Sequence, residues 1–98
     1  MTIEKILNGN CLTLNLAGRL DTATAPELDA VVDSSMAGVQ DLILDMEALE
    51  YISSAGLRVI LKARKMMNAQ GSMKLIHVNG AIMEVFDITG FADILTIE

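Results

Sequence analysis

The sequence predicts a small α/β domain with a mixed β-sheet, an N-terminal hairpin followed by parallel strands, packed with helices. Its composition is globular, because 52% of the residues are hydrophobic and 20% are charged. An Asn-Gly turn near the N-terminus joins two apolar segments, after which helix and strand periodicities alternate. A chain of 98 residues suffices for one domain, so we assign residues 1–98 to a single domain.

The N-terminal hairpin is predicted from its turn and its apolar alternation. We expect a strand over Ile3–Leu7, a turn at Asn8-Gly9 and a second strand over Cys11–Leu16. Every other residue from position 12 to position 16 is leucine, which is the period of a half-buried strand. Residues 17–21 are expected to end that strand.

The first helix is predicted to begin at Thr24. Thr24 is a suitable cap, Pro26 suits the first turn, and Glu27 would complete a capping box with Thr24. Gly38 is the expected stop of the helix. Helical spacing predicts one apolar face, made of Leu28, Val31, Val32, Ser35 and Met36.

The second half of the chain is predicted to alternate strands and helices, with parallel strands joined by right-handed crossovers. Leu42–Leu44 is a continuous apolar run, which is typical of a strand covered on both faces. The elements expected after it are a loop over Asp45–Ile52, a helix from Ser53 to about Ala69, a strand over Met73–Val78, a helix over Ala81–Ile88 ending at Gly90, and a short strand over Ile94–Ile97.

Charge and composition exclude several classes of partner. The net charge is −6, so we expect no nucleic acid, because phosphate binding needs a basic surface. No apolar run reaches the roughly 18 residues of a membrane span, and we expect no membrane insertion. The single cysteine, Cys11, excludes a disulfide framework and a multi-cysteine metal site. No signal peptide is recognisable, so we expect a cytoplasmic protein. We also expect the protein to be a monomer.

No motif indicates an enzyme, a cofactor or a metal. The P-loop, the GxGxxG loop and the HExxH helix are all absent. A Ser-His-Asp triad would have to use His77, the single histidine, which we place in a strand without a catalytic role. We therefore predict a binding protein without a cofactor.

Ser53-Ser54, at the start of the second helix, is the unusual local feature. One serine can cap the helix, which leaves the other hydroxyl near the free N–H groups of the first turn. A phosphate there would be stabilised by those donors and by the helix dipole. Gly56 has no side chain to obstruct a partner. Asp21 is a turn residue that would approach the serines if the strand ends are level.

A helical wheel separates two faces of the second helix. Val59, Ile60, Ala63 and Met67 form the expected core face. The exposed face is expected to carry Ser54, Arg58, Leu61, Lys62 and Lys65. That face has two interpretations, a solvated surface with ordinary charges or a docking surface whose electrostatics change when Ser54 is phosphorylated.

Two of these segments resemble the STAS-domain family, specifically the bacterial anti-sigma factor antagonists. Leu42–Asp45 followed by Tyr51–Leu57 is similar to the family's phosphoacceptor segment. Gly18–Asp21, followed by Thr24-Ala25 and Leu28, resembles the Gly-x-Leu-Asp segment that leads into the family's first helix. Length, element order and motif spacing agree from about residue 3 to residue 97.

The resemblance implies a STAS fold and a partner-switching function. The unmodified antagonist would bind an anti-sigma factor that is also a GHKL-type serine kinase, and so release the sigma factor. Phosphorylation would end this binding, and a PP2C-type phosphatase would restore it. The acceptor matches Ser54, with Ser53 as the second candidate. The partner-binding residues we expect are Asp21, Ser53, Ser54, Gly56, Arg58, Leu61 and Lys62.

The sequence departs from the family pattern at two positions. Many members have aspartate where this chain has Ser53, and small residues are common where it has Arg58. Arg58 could clamp the phosphate or meet an acidic partner. Two alternatives stay open: an accessory subunit of an ABC-type lipid transporter, and a nucleotide-responsive module, for which no phosphate-cradling loop is present.

Overall fold

Four β-strands form one sheet in the order in which they occur along the chain. The computed structural model describes all residues from Met1 to Glu98. The elements are β1 (Thr2–Asn8), β2 (Cys11–Leu20), α1 (Ala25–Ser35), β3 (Asp41–Ile52), α2 (Ser54–Asn68), β4 (Ser72–Ile76), α3 (Gly80–Thr89) and a 3-10 turn (Phe91–Asp93). β1 pairs antiparallel with β2, whereas β2, β3 and β4 are parallel. The predicted hairpin followed by parallel strands is confirmed.

All the helices lie over one face of the sheet, and the prediction that the β3 strand is covered on both faces is wrong. Consecutive parallel neighbours joined by right-handed crossovers place their helices on the same side. Along β2 and β3, fully buried leucines alternate with partly exposed residues. The opposite face, which we call the open face, includes Cys11, Thr13, Asn15, Ile43 and Asp45, all partly exposed.

β3 runs through the segment that we expected to be a loop. The prediction of a loop over Asp45–Ile52 is wrong, because the strand continues to Ile52. Its first half buries every second residue, and the register with β2 then shifts between the Asn15 and Ala17 positions, as in a β-bulge. The bulge breaks the period-two alternation, although Leu49 and Ile52 are still buried. β2 likewise continues beyond Leu16, the end that we expected for it.

The start of α1 is held differently from the predicted capping box. Thr24 precedes the helix, but its side chain makes no cap hydrogen bond. The Thr24 hydroxyl instead donates to the Arg19 carbonyl at 2.7 Å and accepts from the Asp21 N–H at 2.9 Å. The helix ends at Ser35, before Gly38, which lies in the following turn with a positive φ of 78°. The capping box is therefore replaced by a turn that Thr24 ties to the end of β2.

The C-terminal segment follows the prediction except at its end. α3 begins after Asn79, whose side chain accepts from the Ile82 N–H at 2.9 Å, and it ends at Gly90 in the left-handed region. The predicted last strand is reduced to one bridge between Leu75 and Ile97. β4 is also shorter than expected and ends before His77.

Candidate functional site

The ends of β2 and β3 meet the start of α2 at one edge of the sheet, which we call the serine edge. Leu20 pairs with Ile52 across the two strands, so the strand ends are level. The Ser53 N–H donates to the Leu20 carbonyl at 2.8 Å. The first turn of α2 is therefore attached directly to the neighbouring strand.

Ser53 and Ser54 have different roles in this edge. Ser53 has extended backbone (φ −101°, ψ 175°), and its Oγ accepts from the Gly56 N–H at 3.4 Å, so Ser53 is the N-cap of α2. Ser54 is the first helical residue and is exposed. The sequence left open which serine caps the helix; here Ser53 caps it and the Ser54 side chain faces solvent.

Gly56 is buried and performs a packing role, not the opening for a partner that we expected. A Cβ atom at Gly56 would lie 2.6 Å from Leu20 Cγ and 3.1 Å from Ile52 Cγ1. Both of those side chains are in the core, with Leu20 fully buried. The missing side chain therefore lets α2 approach the ends of β2 and β3 closely.

Asp21 lies at the serine edge but directs its carboxylate to the β2–α1 turn. Oδ1 accepts from the Ala23 N–H at 3.0 Å and from the Thr24 N–H at 3.1 Å. The Thr24 hydrogen bond is the main cause that lowers the pKa of Asp21, with smaller help from Ala23 and from the Arg19 guanidinium. Asp21 therefore acts on this edge by fixing the turn beside it.

The basic face of α2 is in part neutralised by α1. Lys62 Nζ lies 2.8 Å from Asp29 Oδ1 and 2.5 Å from Asp33 Oδ1, and these hydrogen bonds raise the pKa of Lys62. From the sequence we expected Lys62 on the exposed face of α2, and the wheel gave no partner for it on another helix. Arg58, one turn after Ser54, is exposed and forms none of the structure's ion pairs. Arg58 is therefore the free cation nearest to Ser54 along the helix.

Two shallow depressions lie along α2 and share Arg58 and Lys62. The first, of about 360 Å³, lies between the starts of α1 and α2 and is lined by Thr22, Ala25, Pro26, Asp29, Ala55, Arg58, Val59 and Lys62. The second, on the outer side of α2, is lined by Arg58, Leu61, Lys62, Lys65 and Met66. Arg58 and Lys62 border both, and the half-buried Leu61 supplies apolar surface to the second. The edge therefore combines an exposed hydroxyl, a free cation and apolar surface.

Sequence reasoning missed an aromatic contact at this edge. Arg19 and Tyr51 are register partners on β2 and β3, and the guanidinium lies 4.2 Å from the centre of the tyrosine ring. Tyr51 is 41% exposed. The sequence contained no signal for this pair, since Tyr51 fell in the predicted loop and strand register cannot be derived from one strand alone.

The structure does not assemble a catalytic triad around His77. Its Nδ1 lies 3.0 Å from Asp45 Oδ1, and this hydrogen bond raises the pKa of His77. The serine edge lies at the far end of β3 from Asp45, so the histidine and the serines belong to separate regions. His77 also follows β4 and is not a strand residue, contrary to the prediction. None of the helices is long and apolar enough to cross a bilayer.

Comparison with known protein families finds one match that spans the sheet and the helices described above. The STAS domain family matches residues 2–98. The chain belongs to the STAS-domain family. Because the match spans nearly the whole chain, the sheet, the helices and the serine edge all fall within the STAS domain.

The STAS relatives of the chain include anti-sigma factor antagonists. BtrV of Bordetella bronchiseptica, which is named as one, is 35% identical over 99% of this chain and 84% of its own length. The anti-sigma-B factor antagonist of Bacillus subtilis is 36% identical over 92% of this chain and 84% of its own length. The structure of unphosphorylated SpoIIAA superposes with a TM-score of 0.78 at 17% identity, over 99% of this chain and 87% of that one. The predicted STAS fold is confirmed.

Proposed function

We propose that this STAS domain is an anti-sigma factor antagonist controlled by phosphorylation of Ser54. In its unmodified form it binds an anti-sigma factor with serine kinase activity of the GHKL type, which releases the sigma factor. Phosphorylation of Ser54 ends the binding, and a PP2C-type phosphatase restores it. The relatives named above support the class of function. In this proposal the chain is a regulator that acts by binding and catalyses no reaction.

The observation that carries this proposal is that the two serines have different roles. The Ser53 hydroxyl is already used as the helix cap, whereas the Ser54 hydroxyl is exposed at the first helical position. A kinase can therefore reach Ser54 without unfolding the helix start. This supports Ser54 as the phosphoacceptor and leaves Ser53 as a structural residue of the partner-binding edge.

A phosphate on Ser54 would change the charge of the docking surface rather than its fold. It adds about −1.5 to −2 charges at a helix N-terminus, where the free N–H groups and the dipole accept an anion. Arg58 follows at i+4 and is free to pair with it. The modification would thus withdraw Arg58 from an acidic partner and place a strongly hydrated group in the interface.

The other predicted contact residues take supporting roles in the proposal. Leu61 and Arg58 contact the partner directly. Lys62 holds α2 to α1 through its two aspartates, Asp21 holds the β2–α1 turn, and Gly56 keeps α2 against the sheet. The protein acts in this proposal as a single domain over residues 1–98, as a monomer, and in the cytoplasm, where the kinase would find ATP.

The experiment compares four forms of the chain, wild type, Ser54→Ala, Ser54→Asp and Ser53→Ala, each used to retain proteins from cells of the source organism. We expect a GHKL-type kinase, identified by mass spectrometry, to be retained by all forms except Ser54→Asp. That kinase with ATP should phosphorylate wild type and Ser53→Ala and leave Ser54→Ala unmodified. Folding of each variant is checked by circular dichroism.

Two results would contradict the proposal. Phosphorylation of Ser54→Ala to the same extent as wild type would move the site to another residue. Retention of an ABC ATPase or permease by all four forms, with no kinase, would favour an accessory subunit of a transporter, in which Ser54 is only the first residue of a helix.

A further inference from the structure

Three side chains of metal-ligand type meet on the open face, at a distance from the serine edge. His77 Nδ1 lies 3.0 Å from Asp45 Oδ1 and 3.8 Å from Glu47 Oε2. All three ligand atoms lie within 4.8 Å of one another. Asp45 is separated from Ile52 by seven residues, or about 23 Å along β3 at roughly 3.3 Å per residue, so this cluster is a second, independent region of the molecule.

The backbone is arranged to bring these side chains together. Asp45 pairs with Ile76 in the β3–β4 register, and His77 follows directly. His77 is the one non-glycine residue with a positive φ, 57°, in the left-handed region that few side chains adopt. The Glu47 N–H donates to Asp45 Oδ1 at 3.0 Å, which fixes the orientation of that carboxylate. Glu47 itself lies in the bulged part of β3, opposite the register shift in β2.

The donor set and its spacing fit a divalent transition-metal ion. One imidazole nitrogen with two carboxylate oxygens suits zinc and its neighbours, whereas calcium and magnesium prefer oxygen alone. Ligand bonds of about 2.0–2.2 Å place neighbouring donors about 2.9 to 3.4 Å apart in octahedral or tetrahedral geometry. The distance of 3.0 Å between His77 Nδ1 and Asp45 Oδ1 falls within that range. The distance of 3.8 Å to Glu47 Oε2 exceeds it, and the Glu47 side chain, 77% exposed, is free to shorten it.

We propose that Asp45, Glu47 and His77 form a binding site for a divalent transition-metal ion of the zinc type on the open face of the sheet. The ion binds the Nδ1 lone pair of an imidazole that carries its one proton on Nε2. A neutral His77 protonated on Nδ1 reaches this state by moving that proton to Nε2 through water, whereas an imidazolium reaches it by releasing the Nδ1 proton to solvent. The remaining coordination positions face water and a depression of about 210 Å³ beside Asn15, Ala17 and Ala48. This site goes beyond the proposed function, because it involves none of the residues of the serine edge.

The experiment titrates zinc chloride into the untagged full chain by calorimetry. All forms carry Cys11→Ser, because the partly exposed thiol of Cys11 is a zinc donor outside the proposed site. We expect one zinc ion per chain and a rise in thermal midpoint on binding. His77→Asn should raise Kd by at least about tenfold, since a lost first ligand costs no less than a lost outer-shell partner. Asparagine is chosen because it also tolerates the left-handed backbone.

Two further variants complete the design. Glu47→Gln should weaken binding as His77→Asn does, whereas Glu84→Gln, an exposed carboxylate of α3, should leave Kd unchanged. In NMR spectra of the backbone amides recorded with substoichiometric Co²⁺, the strongest signal changes are expected at residues 45–47 and 77. The proposal is overturned by an absence of binding at a large excess of zinc, or by equal Kd values for wild type and His77→Asn. Either outcome would mean that His77 and Asp45 form only an ion pair and that the cluster binds no metal ion.

Discussion

Replacing Gly56 with alanine tests whether the close approach of α2 to the sheet holds the serine edge together. The added Cβ would lie 2.6 Å from Leu20 Cγ, 2.9 Å from Leu20 Cδ2 and 3.1 Å from Ile52 Cγ1. Carbon atoms in contact normally lie about 3.5–4.0 Å apart. Leu20 is fully buried, and its branch carbon cannot move away without displacing other core atoms. The helix start or the end of β2 must therefore shift.

Two opposing terms set the size of the effect of Gly56→Ala. Overpacking of a core costs about 1–3 kcal/mol. Alanine is favoured over glycine in a helix by up to about 1 kcal/mol, which offsets part of that cost. We expect Gly56→Ala to lower the free energy of unfolding by about 0.5 to 2 kcal/mol. In a domain of this size the thermal midpoint falls by about 4–8 °C for each kcal/mol.

Urea denaturation followed by circular dichroism measures this change, with Gly80→Ala as the matched control. Gly80 also lies in the first turn of a helix, but a Cβ there meets nothing within 4 Å, so the control should gain up to about 1 kcal/mol. In a Leu20→Ala background the two shortest contacts are removed and only the contact with Ile52 Cγ1 at 3.1 Å remains, so Gly56→Ala should destabilise less. A Gly56→Ala variant as stable as Gly80→Ala, or a cost of Gly56→Ala that is the same in both backgrounds, would refute this prediction.

Three further predictions concern the contacts around the two sites. Lys62→Met should lower the urea midpoint slightly in dilute buffer. This difference from wild type should vanish near 1 M NaCl, where the Debye length is about 3 Å. A difference that is unchanged in high salt would exclude an electrostatic cause. The folded pKa of Asp21 lies below its model-compound value of 3.8, so Asp21 stabilises the fold above that value and loses this contribution as pH falls from about 5 through the folded pKa. Asp21→Asn should therefore reduce the acid dependence of the thermal midpoint, and an unaltered acid limb would refute this. Asn79 caps α3 and donates to the Leu49 carbonyl at 3.0 Å, so Asn79→Ala should cost about 2 kcal/mol. Asn79→Asp keeps the cap alone and should cost about half as much. Equal losses for the two variants would assign all of the effect to the hydrogen bond with the Leu49 carbonyl.

Periodicity predicted most of the fold, because burial on one side imposes a regular pattern on each element. The alternating leucines of β2 and the buried face of α2, which includes Ile60 and Met67, are found as expected. The second half of β3 could not be predicted in the same way. Its bulge shifts the alternation, and its exposed carboxylates, such as Glu47 and Glu50, have the composition of a loop.

The candidate site was predicted where it depends on local chemistry and missed where it depends on neighbours. A serine before a helix is a cap by local geometry, so the pair at 53 and 54 was identified. The aspartates that bind Lys62 come from α1, and a helical wheel of α2 contains no information about them. The same applies to Gly56, whose role follows from the position of Leu20, and to the meeting of His77 with Asp45, which follows from the β3–β4 register.

The sequential order of the strands also affects how the chain assembles during synthesis. Each new strand adds beside the strand made just before it, and none has to be inserted between two earlier ones. Translation delivers the chain from its N-terminus at about 5–20 residues per second, slowly compared with hairpin formation. The hairpin, the first crossover and the start of α2 all precede β4 in the chain, so the edge that carries Ser54 can form on the nascent chain before the last strand closes the sheet.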